Sequence, residues 1–451
     1  MNPLPPPDAP ALYARALWEA RTDLAWLEDA ASGVSVIGTG ERVGVGEWEA
    51  AMASLPAGAA ASEPGLGWVG FIDFAWMLGR LGLGSVNEPA TSFLRVRGAL
   101  RFEAGQARWV QESPSGLDGP AGTAGQALPD GEGPGWEAGL ASQRAAAEDR
   151  LRAALEAAQG TRQSDVVPSA PAQGSRAPHA PAWRGDGESY ARAVREILAR
   201  IADGDAYVVC LTTAVDVPGS FDGLETFLAL RAAHPTHHLG LIRIGEVCLV
   251  AASPELFLRV DGGGTATTIP IKGTRPRGAT PAEDAALAAE LAADPKELAE
   301  NLMVVDVARN DLSRVCEPGS VAVQRFREVE SYPAVHQLVS EVRGRLRPGA
   351  SVLEVLSSLA PGTSMTGAPK RRAAQIAASL EPGGRGVYSG AFGWIGAGGS
   401  LDLAMSIRCA VITPERAMIG VGGGITADSV PAAEWAEAQL KARATLAALR
   451  R

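Results

Sequence analysis

The clearest periodicity in the chain is helical. Tyr190, Val194, Ile197, Leu198 and Ile201 recur at offsets of 4, 7, 8 and 11, and Gly204 follows as a stop. A strand-like run, Ala206 to Val215, comes next. His238–Arg243 and Glu246–Ala252 read as two strands around a turn at Ile244-Gly245. Neither alternates strictly between apolar and polar, which predicts burial on both faces. Thr280-Pro281-Ala282-Glu283 is a capping-box pattern with proline at the first helical position, and Asp294-Pro295-Lys296-Glu297 repeats it, opening a helix to about Arg314. Another helix should follow Pro369, then strands at Val387–Gly396, Leu401–Val411 and Ala417–Val421, and a last helix from about Ala432 to Leu449. Earlier in the chain, Ala25–Leu27, Val34–Ile37, Gly67–Ile72 and Ser92–Phe102 read as short strands, and Ala-rich Trp136–Ala158 as helical. Mixed strands and helices with antiparallel neighbours predict an α+β fold.

Composition divides the chain. Ser113–Gly135 and Gln159–Gly187 are rich in Gly, Pro and Ser, and the second is the better linker. The expected organisation is an N-terminal region 1–158, a linker 159–187 and a denser region 188–451. A net charge of -10 without a basic stripe argues against nucleic acid. No apolar run approaches the roughly 18 residues of a membrane span, and MNPLPPPDAP lacks the order of a secretory signal. The four cysteines, Cys210, Cys248, Cys316 and Cys409, form no CxxC pair, so neither zinc nor a disulfide framework is indicated. The expected compartment is the cytoplasm.

Glu297 and Glu300, and again Glu434 and Glu437, are three apart near predicted helix starts, which puts each pair on one helix face. Two such faces would form an oxygen-only site suited to Mg²⁺. The alternative is plain: Glu297 is a capping-box acid, and Glu437 with Lys441 an ordinary i,i+4 pair. Lys272 lies between a strand end and a glycine turn, with Arg275 and Arg277 nearby. At an ordinary pKa roughly one lysine in 2,500 is neutral at pH 7, so a nucleophilic amine needs a drop of about three units. Burial and neighbouring cations both push that way; a surface or anion-binding lysine is the alternative. Pro361-Gly-Thr-Ser-Met-Thr-Gly-Ala-Pro-Lys370 lacks the Lys-Ser/Thr that a phosphate loop needs after its second glycine. Such a turn can still hold a carboxylate. Gly422-Gly423-Gly424 permits close backbone approach, or is a tight hairpin. Arg408 stands in the almost uncharged run DLAMSIRCAV and needs an anionic partner, structural or bound. His336 reads as a hydrogen-bonded core histidine or a catalyst, and Glu255 as a strand terminator or an acid.

In order, GDAYVVCLTT, SPELFL, PIKGTRPRG, DPKELAENLMVVDVARNDLSRV, SYPAVHQLVS, PGTSMTGAPKRRA, RGVYSGAFGWIG, DLAMSIR and GVGGGITADSVPAAEWAEAQLKA resemble the chorismate-utilising enzymes, the family of anthranilate synthase component I and aminodeoxychorismate synthase component I. The resemblance runs from about Tyr190 to Ala442. It implies one large α+β fold of stacked, largely antiparallel sheets flanked by helices around a deep cleft. By position, Glu300 and Glu437 are expected to hold Mg²⁺, with Glu297 and Glu434 as acidic neighbours. Ser364, Tyr388, Arg408, Gly422, Gly423, Gly424 and Lys441 are expected to bind chorismate, and Gly273 and Thr274 to line its ring. His336 matches the family's active-site histidine, and Glu255 the acid assisting departure of the C4 hydroxyl.

Within the family PIKGT marks the aminodeoxychorismate-forming members, whereas anthranilate synthases usually carry alanine at Lys272. Lysine can attack C2 as the C4 hydroxyl leaves, and ammonia then adds at C4 and expels it. Val208 stands where isochorismate and salicylate synthases place a water-activating lysine, which disfavours addition of water. Tyr207-Val208-Val209-Cys210 departs from the usual YQVN, and LAWLEDA lacks the serine of the family's N-terminal tryptophan-binding signal. With no glutaminase pattern in the sequence, ammonia is expected from a separate glutamine amidotransferase subunit. The expected product is 4-amino-4-deoxychorismate. The rivals are anthranilate synthase component I and a non-catalytic chorismate-binding subunit.

Overall fold

A computed structural model describes residues 9–20, 23–60, 66–83, 91–104, 106–111, 142–147, 149–150, 152–153, 180–332 and 335–450. The expected linker falls mostly outside these. Its last residues are ordered: Ala182–Trp183 is a strand, and Asp186 caps the helix Gly187–Ala202 through Ser189. The described part of Trp136–Ala158, residues 142–147 among it, is helical.

Two sheets carry the fold. The first runs, in spatial order, Gly367–Ala368, Val208–Pro218, Arg416–Ile425, Cys409–Thr413, Val247–Ser253, His238–Ile244, Leu24–Asp29, Val34–Gly38, Gly98–Glu103 and Gln106–Gln111, with Ala182–Trp183 beside Val208–Pro218. The second runs Ile271–Pro276, Val335–Arg345, Thr265–Ile269, Leu256–Val260, Leu401–Met405, Ala391–Ile395, Gly67–Ile72, Ser92–Val96 and Glu41–Val43, with Ala322–Ser331 beside Val335–Arg345. Neighbouring strands in both are antiparallel. Strands from before and after the linker share both sheets, so the two parts of the chain build one body.

One core fills the space between the sheets, around Phe71, Phe93, Leu258, Phe392 and Leu403, and reaches the helices Val45–Ser54, Pro295–Ser313 and Val352–Leu359. A second core lies between the first sheet and the helices Ala9–Glu19, Gly187–Ala202, Gly223–Ala233, Lys370–Leu380 and Pro431–Ala448, around Trp26, Phe227, Leu241, Val250 and Ile419. The first sheet is therefore covered on both faces. That is why its strand His238–Ile244 lacks alternation: five of its seven residues are buried.

Three chain crossings between the sheets matter. The apolar run Ser92–Phe102 reads as one strand in the sequence but is two, Ser92–Val96 in the second sheet and Gly98–Glu103 in the first. The run Leu401–Val411 breaks the same way after Met405, resuming at Cys409 in the first sheet. Between Ser253 and Leu256 the chain crosses in the opposite direction. A run that stays apolar through a crossing gives no sequence signal of it, because both flanking strands are buried. The last two crossings lie side by side. Met405 donates its N–H to Glu255 O at 3.0 Å, and Ala252 donates to Arg408 O at 3.1 Å.

Candidate active site

Those paired crossings carry two of the sequence candidates. Arg408 is not a strand residue but the hinge of its crossing, held at φ 49, a left-handed conformation costly for a side chain with a Cβ. It lines a pocket of about 90 Å³ with Gln337, Tyr332, His234, Ala444 and Thr445. Arg408 is solvent-exposed, yet desolvation by the surrounding protein draws its pKa below the usual value, against the pull of Tyr388 and Glu437. Glu255 occupies the other crossing and is buried. Burial pushes its carboxyl up to about 7, opposed by a hydrogen bond from Ser364 and by the charge on Lys272. Ser364 sits in the short 3₁₀ turn Thr363–Met365, so the PGTSMTG segment serves to hold this acid. Glu255, Thr268, Asp311, Thr363 and Ser364 surround a small pocket of about 30 Å³.

Lys272 lies on the edge strand of the second sheet and reaches toward the first. Its Nζ is 3.7 Å from Glu300 Oε2, and the side chain is only 14% exposed. A methyl group placed on Gly424 would lie 3.2 Å from that nitrogen and 3.8 Å from Glu300 Oε2. On Gly423 it would lie 3.1 Å from Glu434 Oε2 and 3.9 Å from Glu437 Oε1. The glycines are therefore neither a hairpin nor a loop. They lie inside the strand Arg416–Ile425, paired with Val208–Pro218, and leave a bare backbone against which both acidic helices close. Val208 lies beside them, 3.3 Å from the same point on Gly424.

The acidic faces are as the spacing implied. Asp294 caps the helix Pro295–Ser313 and accepts from the N–H groups of Lys296 and Glu297. Glu297 turns toward Gly273, whose φ of 82 and missing side chain make room for it. Burial and then the charge of Glu300 raise the Glu297 carboxyl above its usual range. On the helix Pro431–Ala448, burial and Glu437 raise Glu434, against a hydrogen bond from Ser429. Burial would raise Glu437 too, but Lys441, Lys296 and Lys272 outweigh it and hold it down. Lys441 donates to Gly422 O at 2.9 Å and lies 2.7 Å from Glu437. Among the described residues no three Asp, Glu, His or Cys side chains already converge as a complete ligand set.

Three expectations change. The protein groups do not push the Lys272 pKa down as expected: burial favours the free amine, but Glu300, Cys210, Glu255 and Glu297 outweigh it and raise its pKa. The cations expected to oppose this are engaged elsewhere, Arg275 with Glu290, Asp294 and Glu297, and Arg277 with Asp284. His336 is the core histidine of the two readings. It is 1% exposed, with Nδ1 2.8 Å from Ser331 Oγ and Nε2 2.9 Å from Asp284 Oδ1. Thr274 is exposed on its strand, where it pairs with Gln337. Tyr388 is buried, its ring packed where any side chain on Gly420 would collide at 2.1 Å.

The family model for chorismate binding enzymes matches residues 15–447. The chain belongs to that family. Aminodeoxychorismate synthase of Streptomyces pristinaespiralis is 50% identical over 58% of this chain and 36% of its own. That of Streptomyces griseus is 44% identical over 57% and 36%. Anthranilate synthase component 1 of Streptomyces coelicolor is 44% identical over 56% and 49%. The chain thus spans between a third and a half of these relatives. Anthranilate synthase component I of Streptococcus pneumoniae superposes with a TM-score of 0.70 at 25% identity, over 94% of this chain and 90% of that one. The menaquinone-specific isochorismate synthase of Escherichia coli shares the fold, with a TM-score of 0.69 at 19% identity over 96% and 91%.

Sequence reading missed two residues of this chorismate-family cleft. Lys296 lies 4.0 Å from Glu300 and within electrostatic reach of Glu434 and Glu437, a tethered cation between the acidic faces. Gln337 lines the Arg408 pocket. Its only signal was its place next to His336, on the other side of the strand. A larger cavity, about 450 Å³ between the sheets and lined by Leu27, Glu28, Val36, His238, Phe392 and Trp394 among others, holds none of the candidate residues. Among the described residues no helix is long and apolar enough to cross a membrane, and all four cysteines are buried and unpaired.

Proposed function

We propose that this chain aminates chorismate at C4, forming 4-amino-4-deoxychorismate with ammonia from a separate glutamine amidotransferase subunit. The observation that carries the reading is Lys272 itself: an enclosed amine on PIKGT, aimed across bare glycine backbone between two glutamate-bearing helices. A residue with only an anion-binding role would not need to be so enclosed.

The donor set fits Mg²⁺. Glu300 and Glu437 would hold it, with Glu297 and Glu434 beside them, and the backbone of Gly423 and Gly424 leaves room for water or substrate oxygen. When bound, the ion supplies positive charge to the C1 carboxylate of the substrate and to the surrounding glutamates. Arg408 and Lys441 would bind carboxylate oxygens, Ser364 would orient Glu255, and Gly273 leaves space for the ring.

The protonation states define the task. Attack needs Nζ free of its third proton, and the nearby carboxylates oppose its loss. Glu255, poised near neutrality, must hold a proton to act as an acid, and in that form it no longer helps keep Lys272 charged. The two requirements reinforce each other. Nζ bonds to C2, the ring double bonds shift, and the C4–O bond breaks with the Glu255 proton leaving in water. Ammonia then bonds to C4, the double bonds shift back, and the C2–Nζ bond breaks.

The relatives named anthranilate synthase support a second reading, attack of ammonia at C2. Incubation with chorismate, Mg²⁺ and ammonium salt separates the two. Accumulation of 4-amino-4-deoxychorismate is expected; direct release of anthranilate would overturn the first reading.

A further inference from the structure

His336 and Gln337 are adjacent on the strand Val335–Arg345, so their side chains leave it on opposite faces. His336 is fully engaged by Ser331 and Asp284. Gln337 is not. It is 5% exposed, and its Oε1 is buried with no hydrogen-bond partner among the described residues. Buried side-chain amides are rarely left this way, because an acceptor stripped of water is costly unless a donor is supplied. The side chain lines the pocket that also receives Arg408, His234, Tyr332 and Thr445. Arg408, within electrostatic reach of Tyr388 and Glu437, ties that pocket to the acidic cleft. Glu434, Glu437, Lys441 and Thr445 follow at helical spacing along Pro431–Ala448, so the stripe that begins at the acidic face ends beside Gln337.

We propose that Gln337, rather than His336, is the residue of this strand that meets the reactants, and that its free amide oxygen accepts a hydrogen from a neutral O–H or N–H donor. The inference rests on the proposed function. Chemistry narrows the donor. The carboxylates of chorismate only accept hydrogen bonds, and Arg408 in the same pocket suits one of them. What remains is the hydroxyl of the substrate or an N–H of incoming ammonia. Among the described residues no aspartate or glutamate lines the pocket, and Arg408 repels cations, so ammonia rather than ammonium would enter.

The test uses Gln337→Met, which keeps the length of the side chain and removes the acceptor, and Gln337→His, which restores one. Chorismate affinity is measured by equilibrium dialysis without ammonia, the KM for ammonia by steady-state kinetics, and folding by thermal melting. Gln337→Met is expected to weaken one of the two binding constants about 5- to 100-fold. Its melting temperature should be no lower than that of the unaltered protein, since an unsatisfied polar group is gone. Gln337→His should recover part of the loss. A fall in chorismate affinity assigns the donor to the hydroxyl. A raised KM for ammonia with chorismate affinity unchanged assigns it to ammonia. Both constants unchanged, or a lowered melting temperature as the only effect, would overturn the proposal. If the unaltered chain does not bind chorismate at all, the proposed function fails with it, and that measurement alone reveals it.

Discussion

The two ends of the cleft are opposites. At one end four glutamates face one another across Gly423 and Gly424, and the cations beside them are the lysines 272, 296 and 441, with Arg275 at the Glu297 edge. At the other end Arg408 stands with Gln337 in a pocket that no carboxylate lines among the described residues. A dianion such as chorismate meets a cation at the second end and repulsion at the first. The acidic end therefore needs added positive charge before it can accept a carboxylate, and the proposed Mg²⁺, held by oxygen donors, would supply it. Under the proposed function the difference teaches a division of labour: the acidic end would wait on a metal, and the Arg408 end would hold the substrate regardless.

Substitutions at each end should break this contrast in different observables. The largest effect is expected at Lys272. Lys272→Ala should lower formation of 4-amino-4-deoxychorismate about 10³-fold, the scale on which a covalent or proton-transferring group acts, with chorismate binding nearly intact. Unchanged output in a coupled assay would refute its role. Next, Arg408→Leu should raise the KM for chorismate by roughly 30-fold or more, corresponding to about 2–5 kcal/mol for a charged group left without its partner. The magnesium dependence should stay as it was; a shifted magnesium titration would merge the two ends. Conversely, Glu437→Gln should weaken Mg²⁺ binding about 10- to 100-fold, read directly by calorimetry. An unaltered isotherm counts against its place among the ligands.

The smallest effect concerns stability. The Glu255 carboxyl is raised from 4.5 to about 7 by burial. A carboxyl raised on folding destabilises the fold as pH climbs from about 4.5 through 7, because the unfolded chain then gives up its proton first. Glu255→Gln should thus melt higher than the unaltered protein at pH 8, by about 1–3 kcal/mol, and no higher at pH 4. Equal gains at both pH values would show that the carboxyl is not perturbed.

Much of this was legible in the sequence, and the parts that were not share a cause. Helices declared themselves through caps and spacing: Asp294 and Thr280 begin helices where their patterns said they would. The pairing of Glu297 with Glu300 and of Glu434 with Glu437 followed from a spacing of three. What the pattern could not reveal were events between distant segments. The break at Arg408 is invisible within its apolar run, because each flanking strand is buried in its own sheet; at Ser253-Pro254-Glu255 the end of a strand was legible, but not that the chain changes sheets there. The charge on Lys272 depends on Glu300 and Glu255, and on Arg275 being taken up by Glu290 and Asp294. Local sequence placed Arg275 beside the lysine and suggested the opposite shift. His336 drew notice as a histidine, while Gln337, the one left without a partner, had nothing in its residue type to recommend it.

The account stands on a bond between Lys272 and the ring. Chorismate and Mg²⁺ should be incubated with the chain without ammonia, the mixture quenched, and the protein weighed and mapped by mass spectrometry. The expected result is a gain equal to chorismate less one water, located on the peptide containing Lys272 and discharged when ammonium is added before the quench. An unmodified Lys272 peptide from protein that still aminates chorismate would contradict it.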